Sequence, residues 1–220
     1  MIMIKKLNFN FNIFIMFIQM NIQNRTNIDS KYIYIKHKMK IIPNGVDFDI
    51  FKPMNKKQCR EELEIDQKKK YVLFLANKTN PRKNFQLLQK AMDLIEDPNI
   101  ELFNLTYPVD PDRIPFIINA SNVIVLTSFF EGSPNIIKEA LACNIPIVSV
   151  DVGDVKELVS DVEGCIICKR EPISFSASIK STIDTYMRTK GRASIVNLEI
   201  NQIAKEIKAV YKNLLEKNNS

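Results

Sequence analysis

Short apolar runs alternate with helical patterns along most of this chain, and this alternation limits the folds that the chain can adopt. Three of the runs are apolar on both faces, which is typical of buried parallel strands. Between them, Phe85, Leu88 and Met92 share one face of a predicted helix. The pattern therefore predicts an α/β fold, a doubly wound, Rossmann-like parallel sheet, with a last helix over about 199–216. The predicted strands are residues 71–75, 123–126 and 145–150.

The size and composition of the chain exclude several classes of protein. The chain has 220 residues, 45% of them hydrophobic and 25% charged, which suits one α/β domain rather than a disordered protein. Its five glycines form neither a dinucleotide-binding fingerprint nor a Walker loop. His37 is the single histidine, so zinc sites rich in histidine and Ser-His-Asp triads lack the residues they need.

The net charge of +6 favours partners that carry phosphate groups. The charges are scattered, however, and the densest basic runs, 36–40 and 68–70, are typical of solvated surfaces. A basic nucleic-acid-binding module is therefore a minor alternative, because the chain has no recognised motif and no aromatic residues between its basic clusters. We expect no nucleic-acid partner.

The four cysteines are expected to be reduced and buried. Cys165 and Cys168 form one C-x-x-C on a predicted strand, where residues three apart point to opposite faces and cannot readily share a metal ion. Cys59 and Cys143 stand alone, with no second pair in the chain. This use of cysteine indicates a cytoplasmic protein without a bound metal.

The first 35 residues differ in composition from the rest. Their longest apolar run, 13–18, is far shorter than the ~20 residues that span a membrane. Lys5 and Lys6 precede an apolar stretch, but no small-residue cleavage site follows as a signal peptide requires. We expect 1–35 to be an irregular or apolar leader and 36–220 to be the working domain, with peripheral membrane contact left open.

Two loops follow predicted strands at the edge of the sheet where ligands bind in α/β folds. The loop over 77–84 carries Arg82 and Lys83, and the loop over 127–135 leads into a helix with Ser133 as its predicted N-cap. The free backbone N–H groups of a helix start favour an anion. Together the two loops predict a diphosphate site.

Glu131 and Glu139 bracket the start of this helix. Eight residues at ~1.5 Å each span about 12 Å, roughly the length of a diphosphate between two sugar rings. Carboxylates at the two ends could accept hydrogen bonds from the hydroxyls of a ribose and a hexose. The competing interpretation is that Glu139 is an ordinary helix residue and Glu131 an acid that complements the helix dipole.

A series of motifs follows in a fixed order. Together they resemble the C-terminal, donor-binding domain of GT-B glycosyltransferases of the group-one, retaining (E-x7-E) class, over roughly residues 36–215. The motifs are 41–47 (IIPNGVD), 82–84 (RKN), 119–122 (NASN), 131–135 (EGSPN), 138–144 (KEALACN) and 150–155 (VDVGDV).

The resemblance implies a hexosyl-type transferase that takes a UDP- or GDP-sugar as co-substrate and holds no cofactor or metal. Glu131 would be the catalytic residue and contact the transferred sugar, and Glu139 would bind the ribose. Cations and backbone amides would stabilise charge on the departing diphosphate. The implied diphosphate site is Arg82, Lys83, Gly132, Ser133, Pro134 and Asn135, and the implied base site is Tyr107, Pro108 and Val109.

A GT-B enzyme also needs an N-terminal domain that supplies the acceptor site, and the residues before 36 are too few to form one. The resemblance therefore leaves two alternatives open. The chain is either an active half whose acceptor domain comes from a separate polypeptide, or a truncated remnant that binds the donor without transferring sugar. The acceptor itself, whether glycan, lipid or polysaccharide, stays open.

Overall fold

Parallel strands form the centre of the protein. The computed structural model describes residues 14–15, 39–103, 105 and 108–216. Five strands form one parallel sheet in the order β4-β3-β5-β6-β7, and two short strands, β1 and β2, pair in parallel elsewhere. The strands are β1 Phe14–Ile15, β2 Met39–Lys40, β3 Lys70–Leu73, β4 Ile100–Leu102, β5 Val123–Leu126, β6 Ile147–Val150 and β7 Cys165–Cys168.

Helices connect the strands of the sheet in chain order. Helix α2 packs against α6, and α1 packs against α3, so that the sheet is covered by helices. None of the helices in the described part of the chain is long and apolar enough to cross a membrane. The helices are α1 Lys56–Glu62, α2 Phe85–Asp93, α3 Ile114–Ala120, α4 Asn135–Ala142, α5 Val155–Val159, α6 Pro172–Thr185, α7 Gly191–Ser194 and α8 Ile200–Glu216.

The burial of the strands explains why the apolar runs predicted the sheet. All four residues of β5 and of β6 are buried, because each strand has a neighbour on both sides and helices on both faces. The prediction of a doubly wound parallel sheet is confirmed. Strand β5 has the predicted bounds, whereas β3 begins one residue earlier and ends two earlier, and β6 begins two residues later.

The strand order fixes where a ligand site can lie. After β3 the chain moves to β4 on one side, and it then returns to place β5 on the other side of β3. The connections leave the carboxyl ends of β3 and β5 in opposite directions, which opens a crevice between them. This switch point is where the two predicted ligand loops emerge.

The segment before α1 is attached to the domain by α8. The Val46 amide donates to the Leu198 carbonyl oxygen at 2.9 Å, and the Ile200 amide donates to that of Val46 at 3.0 Å. Gly45 passes so close to this helix that an added Cβ would lie 2.9 Å from the Ile200 Cα. Only glycine allows that approach without a shift of the backbone.

Candidate functional site

The two loops at the switch point are joined to each other by hydrogen bonds. The Phe129 amide donates to the Arg82 carbonyl oxygen at 2.9 Å. The Thr127 hydroxyl donates to the Lys83 carbonyl oxygen at 2.8 Å. These bonds hold the loop after β3 against the loop after β5, as the diphosphate prediction required.

An ion pair connects the side chains of the same two loops. The Lys83 Nζ lies 2.6 Å from Glu131 Oε1, and the side chains are 22% and 10% exposed respectively. Among ion pairs of the described residues it is the shortest and the least exposed. The structure thus brings together the predicted phosphate-binding cation and the predicted sugar-binding acid.

A single 3-10 turn, Pro81–Lys83, presents the basic residues. The Asn80 side chain accepts a hydrogen bond from the Arg82 amide and caps the turn at its start. Asn84 ends it in the left-handed conformation, with φ of 52°, which asparagine tolerates better than most residues. Arg82 is exposed beside the half-buried Lys83.

The helix after β5 begins one residue later than predicted. Pro134, not Ser133, is the N-cap, and Asn135 is the first helical residue of α4. The Ser133 hydroxyl caps nothing, because it accepts a hydrogen bond from Lys138 Nζ at 3.0 Å. Pro134 has no N–H, so it can contribute no amide to a phosphate, and the donors of this segment are those of its neighbours.

Gly132 is held from behind by the loop after β6. The Asp154 amide donates to the Gly132 carbonyl oxygen at 3.1 Å. Gly153 adopts φ of +61°, and a Cβ at this position would collide with the same carbonyl oxygen. Glycine is required there for both reasons. The 150–155 motif thus supports the loop that carries Glu131.

Lys138 lies fully buried beneath the site, which the sequence analysis did not anticipate. Its Nζ donates to the Asn44 carbonyl oxygen at 2.8 Å and to Ser133. Burial lowers the pKa of Lys138, while the nearby Asp154 and Glu139 oppose that shift. Lys138 therefore ties the segment before α1 to the loop of the site. The sequence signal that could have indicated this role is a lysine within a helix whose other residues are mostly apolar.

Glu139 occupies the fifth position of α4 and is half-buried. Burial raises its pKa to about 7, and the neighbouring Lys138 acts in the opposite direction. The predicted 12 Å span from Glu131 assumed one helix, yet only the stretch from Asn135 is helical. That stretch rises about 6 Å to Glu139, and a non-helical segment covers the remainder.

A pocket of about 200 Å³ opens beside the loop after β3. Leu105, Val109 and residues 74–78 line it. Of the three residues implied for base binding, Val109 lies in this pocket and Pro108 is exposed beside it, whereas Tyr107 lies outside the described residues.

Two of the four cysteines are less buried than expected. Cys59 and Cys143 are buried, but Cys165 and Cys168 are half-buried because β7 is an edge strand. Burial raises the pKa of Cys165 to about 12 and that of Cys168 to about 11, so both are protonated thiols. Within the described ranges, no cluster of three or more histidines, cysteines or acids could hold a metal ion.

Comparison with known proteins shows which family part of the chain resembles. Residues 100–185, which hold Glu131, Glu139 and the strands β5 to β7, match the family model of glycosyl transferases group 1. Over this segment the chain is similar to group 1 glycosyl transferases. The family and fold implied by the sequence motifs are thereby confirmed.

Curated proteins are similar to this chain over part of their own length. The D-inositol 3-phosphate glycosyltransferase of Segniliparus rotundus is 25% identical, over 73% of this chain and 43% of the relative. The UDP-Gal:alpha-D-GlcNAc-diphosphoundecaprenol alpha-1,3-galactosyltransferase of Escherichia coli is 28% identical, over 73% of this chain and 50% of the relative. The chain thus spans half or less of each relative.

Solved structures share the fold of the described residues. Sucrose-phosphate synthase from Thermosynechococcus elongatus superposes with a TM-score of 0.72 at 19% identity, covering 85% of this chain and 57% of that one. Anabaena HepE in complex with UDP gives 0.68 at 17%, with 84% and 62% covered. The C-terminal domain of a Francisella tularensis group 1 protein (LpcC) gives 0.52 at 18%, with 74% and 98% covered. The described fold is the C-terminal half of a GT-B architecture.

Proposed function

We propose that this chain is the donor-binding part of a retaining glycosyltransferase that takes a sugar from a nucleotide-diphospho-sugar. The observation that carries the proposal is the pairing of Lys83 with Glu131 at the switch point of the sheet. A cation and a carboxylate at adjacent positions suit a ligand in which a diphosphate is joined to a ring of hydroxyls.

The diphosphate would lie against the first turn of α4. Lys83 would neutralise it, with the exposed Arg82 as a second cation. Amide groups of Gly132, Ser133 and Asn135 would donate hydrogen bonds, since the start of a helix leaves its amides free. The Ser133 hydroxyl is already bonded to Lys138, so the serine would act through its backbone.

The two sugar rings would be held by the two acids. Glu131 would accept hydrogen bonds from hydroxyls of the transferred sugar, and Glu139 from hydroxyls of the ribose. The raised pKa of Glu139 suits a site that a ligand covers, because partial neutrality lowers the cost of its further burial. The base would occupy the pocket beside Val109.

Catalysis would depend on charge stabilisation at the leaving group. As the bond from the anomeric carbon to the diphosphate oxygen breaks, its electron pair moves to the diphosphate and the sugar becomes cationic. Lys83 and the loop amides would stabilise the negative charge on the diphosphate, and Glu131 would stabilise the positive charge on the sugar. The acceptor hydroxyl oxygen would then bond to the anomeric carbon on the face that the diphosphate leaves, and its proton would pass to the departing diphosphate oxygen.

Other proteins support the nature of the donor. The HepE structures were determined with UDP, with UDP and glucose, and with UDP-glucose. The name of the E. coli relative specifies a UDP-linked galactose donor. By analogy, the co-substrate here would be a UDP- or GDP-sugar. An acceptor domain from a further polypeptide segment would complete the enzyme.

Calorimetric titration of the full chain with UDP-glucose and GDP-mannose tests the proposal. We expect the wild-type chain to bind one of them and Glu139→Ala to bind it at least about tenfold more weakly, since a ribose contact is lost. Glu62→Ala, which removes an exposed acid from α1, is the matched control and should bind like wild type. Absence of heat with both donors at millimolar concentration in the wild-type chain would refute the proposed site.

A further inference from the structure

Lys83 and Glu131 already satisfy each other before any ligand is bound. Their 2.6 Å contact is a charge-assisted hydrogen bond between two mostly buried side chains. A diphosphate that takes Lys83 must therefore replace or share a carboxylate that holds the same ammonium group. It also brings its own negative charge close to that carboxylate. The ion pair thus opposes the binding of any anion at Lys83.

The opposition differs between two ligands of the same site. A nucleotide-sugar carries hydroxyls that can donate to Glu131 and compensate for the loss of Lys83. A nucleoside diphosphate without the sugar has none of these hydroxyls, so Glu131 would be left half-buried and poorly paired. An unpaired buried carboxylate costs free energy that a paired one does not.

From this difference, which rests on the proposed function, we infer that Glu131 is a specificity-determining residue that disfavours the nucleoside diphosphate product. Glu131 competes with the diphosphate for Lys83, and the sugar of the donor removes that competition. After transfer the sugar leaves, and the Glu131 carboxylate can pair with Lys83 again. Re-formation of the ion pair then favours release of the nucleoside diphosphate.

The inference reverses the ordinary expectation for a binding-site residue. Removing a residue that contacts ligand normally weakens binding of every ligand that shares the site. Here, neutralising Glu131 frees Lys83 and removes a repelling charge, so the nucleoside diphosphate should bind more tightly. The same change removes acceptors for the sugar hydroxyls, so the nucleotide-sugar should bind more weakly.

The test compares the dissociation constants of UDP with UDP-glucose, and of GDP with GDP-mannose, for the full chain. Glu131→Gln removes the charge, and Glu131→Asp keeps the charge but shortens the side chain so that it no longer reaches Lys83. Glu62→Gln changes the net charge equally at an exposed position on α1 and controls for long-range attraction of anions. Thermal unfolding of each variant verifies that it folds.

In Glu131→Gln we expect roughly three- to tenfold tighter binding of the nucleoside diphosphate and roughly tenfold weaker binding of the nucleotide-sugar. Glu131→Asp should tighten binding of the nucleoside diphosphate to a smaller degree, and it carries the test if the glutamine variant does not fold. Unchanged or weaker nucleoside diphosphate binding in both variants, relative to Glu62→Gln, would overturn the inference while a binding wild type upholds the proposed function. A wild-type chain that binds no nucleotide would overturn both.

Discussion

Two groups of cations in this domain have opposite surroundings. Lys83 pairs with one carboxylate at an open edge of the sheet. Arg188, by contrast, is half-buried and donates to the carbonyl oxygens of Met54 and Cys143 and to Asn119 Oδ1. The comparison teaches that a half-buried positive charge does not by itself mark an anion site. What matters is whether backbone carbonyls have already used its hydrogen-bond donors.

The arginine group has a structural role that its bonds define. Arg192 donates to the carbonyl oxygens of Phe48 and Phe51, and its guanidinium lies 3.9 Å from the Phe48 ring centroid. Together with Arg188 it fastens the segment before α1 to the domain. Burial, with help from Arg188, lowers the pKa of the nearby Lys56 to about 8. Such a cluster would be costly if its donors were not satisfied.

The largest effect is expected from Arg188→Met. It leaves several carbonyl oxygens without their donor, so the free energy of unfolding should fall by about 2–4 kcal/mol. Urea denaturation measures the change, with the exposed Arg113→Met as control, for which we expect less than about 0.5 kcal/mol. A loss as small as that of the control would break the contrast between the two cation groups.

Lys83→Met should give the opposite result. Donor affinity should fall by about 10- to 100-fold, because the cation for the diphosphate is lost. The free energy of unfolding should fall by only about 1–2 kcal/mol, less than for Arg188→Met, because a single half-buried carboxylate, Glu131, loses its partner. Calorimetry and urea denaturation measure the two quantities, and Lys90→Met, at an exposed position of α2, serves as control. A large loss of stability with unchanged affinity would assign Lys83 to the structural group.

Glu139 offers a test by pH. Burial raises the pKa of Glu139 from its ordinary value of 4.5 to about 7, so between these values the folded protein holds a proton that the unfolded chain releases. The contribution to stability is present below about pH 4.5 and is lost as the pH rises through 7, by roughly 3 kcal/mol in all. Glu139→Gln removes the titrating carboxyl group and with it this pH dependence of stability. The wild type should therefore lose more stability than the variant between pH 5 and pH 8 in urea denaturation, and parallel curves would contradict the burial of this acid.

The smallest effect is expected from Lys78→Met. Lys78 is exposed at the rim of the pocket beside β3, with Nζ 5.3 Å from the Phe85 ring centroid. Because Lys78 is exposed, water and salt screen its attraction for the donor, so donor affinity should fall by about two- to threefold. Calorimetry at low and high salt measures it. A loss as large as that for Lys83→Met would add Lys78 to the diphosphate site.

The sequence predicted the position of the two loops better than it predicted the contacts between them. The position of Lys83 and Glu131 after adjacent strands followed from the order of apolar runs and loops. Their ion pair did not, because it depends on hydrogen bonds such as Phe129 to Arg82 that set the two loops at one distance. The prediction of Ser133 as the N-cap was wrong for a similar reason. Ser133 suits an N-cap by type, but Lys138 engages its hydroxyl.

The structural roles of Asn119 and Arg188 could not be read from the chain. Asn119 belongs to the NASN motif, yet its side chain binds the backbone at Lys52 and Met54. These partners lie more than sixty residues away in sequence. No local sequence pattern predicts such a contact, because the partners of the side chain are backbone carbonyl and amide groups, which nearly every residue carries.

The sequence by itself determined that this chain forms a parallel α/β sheet and which two loops carry the candidate site. Apolar runs and helical periodicity are patterns of residues close together in the chain, so they can be recognised in the sequence. Only the tertiary structure decided which cation stays available and which is consumed. Availability depends on distances between segments far apart in the chain, and packing of the whole domain sets those distances.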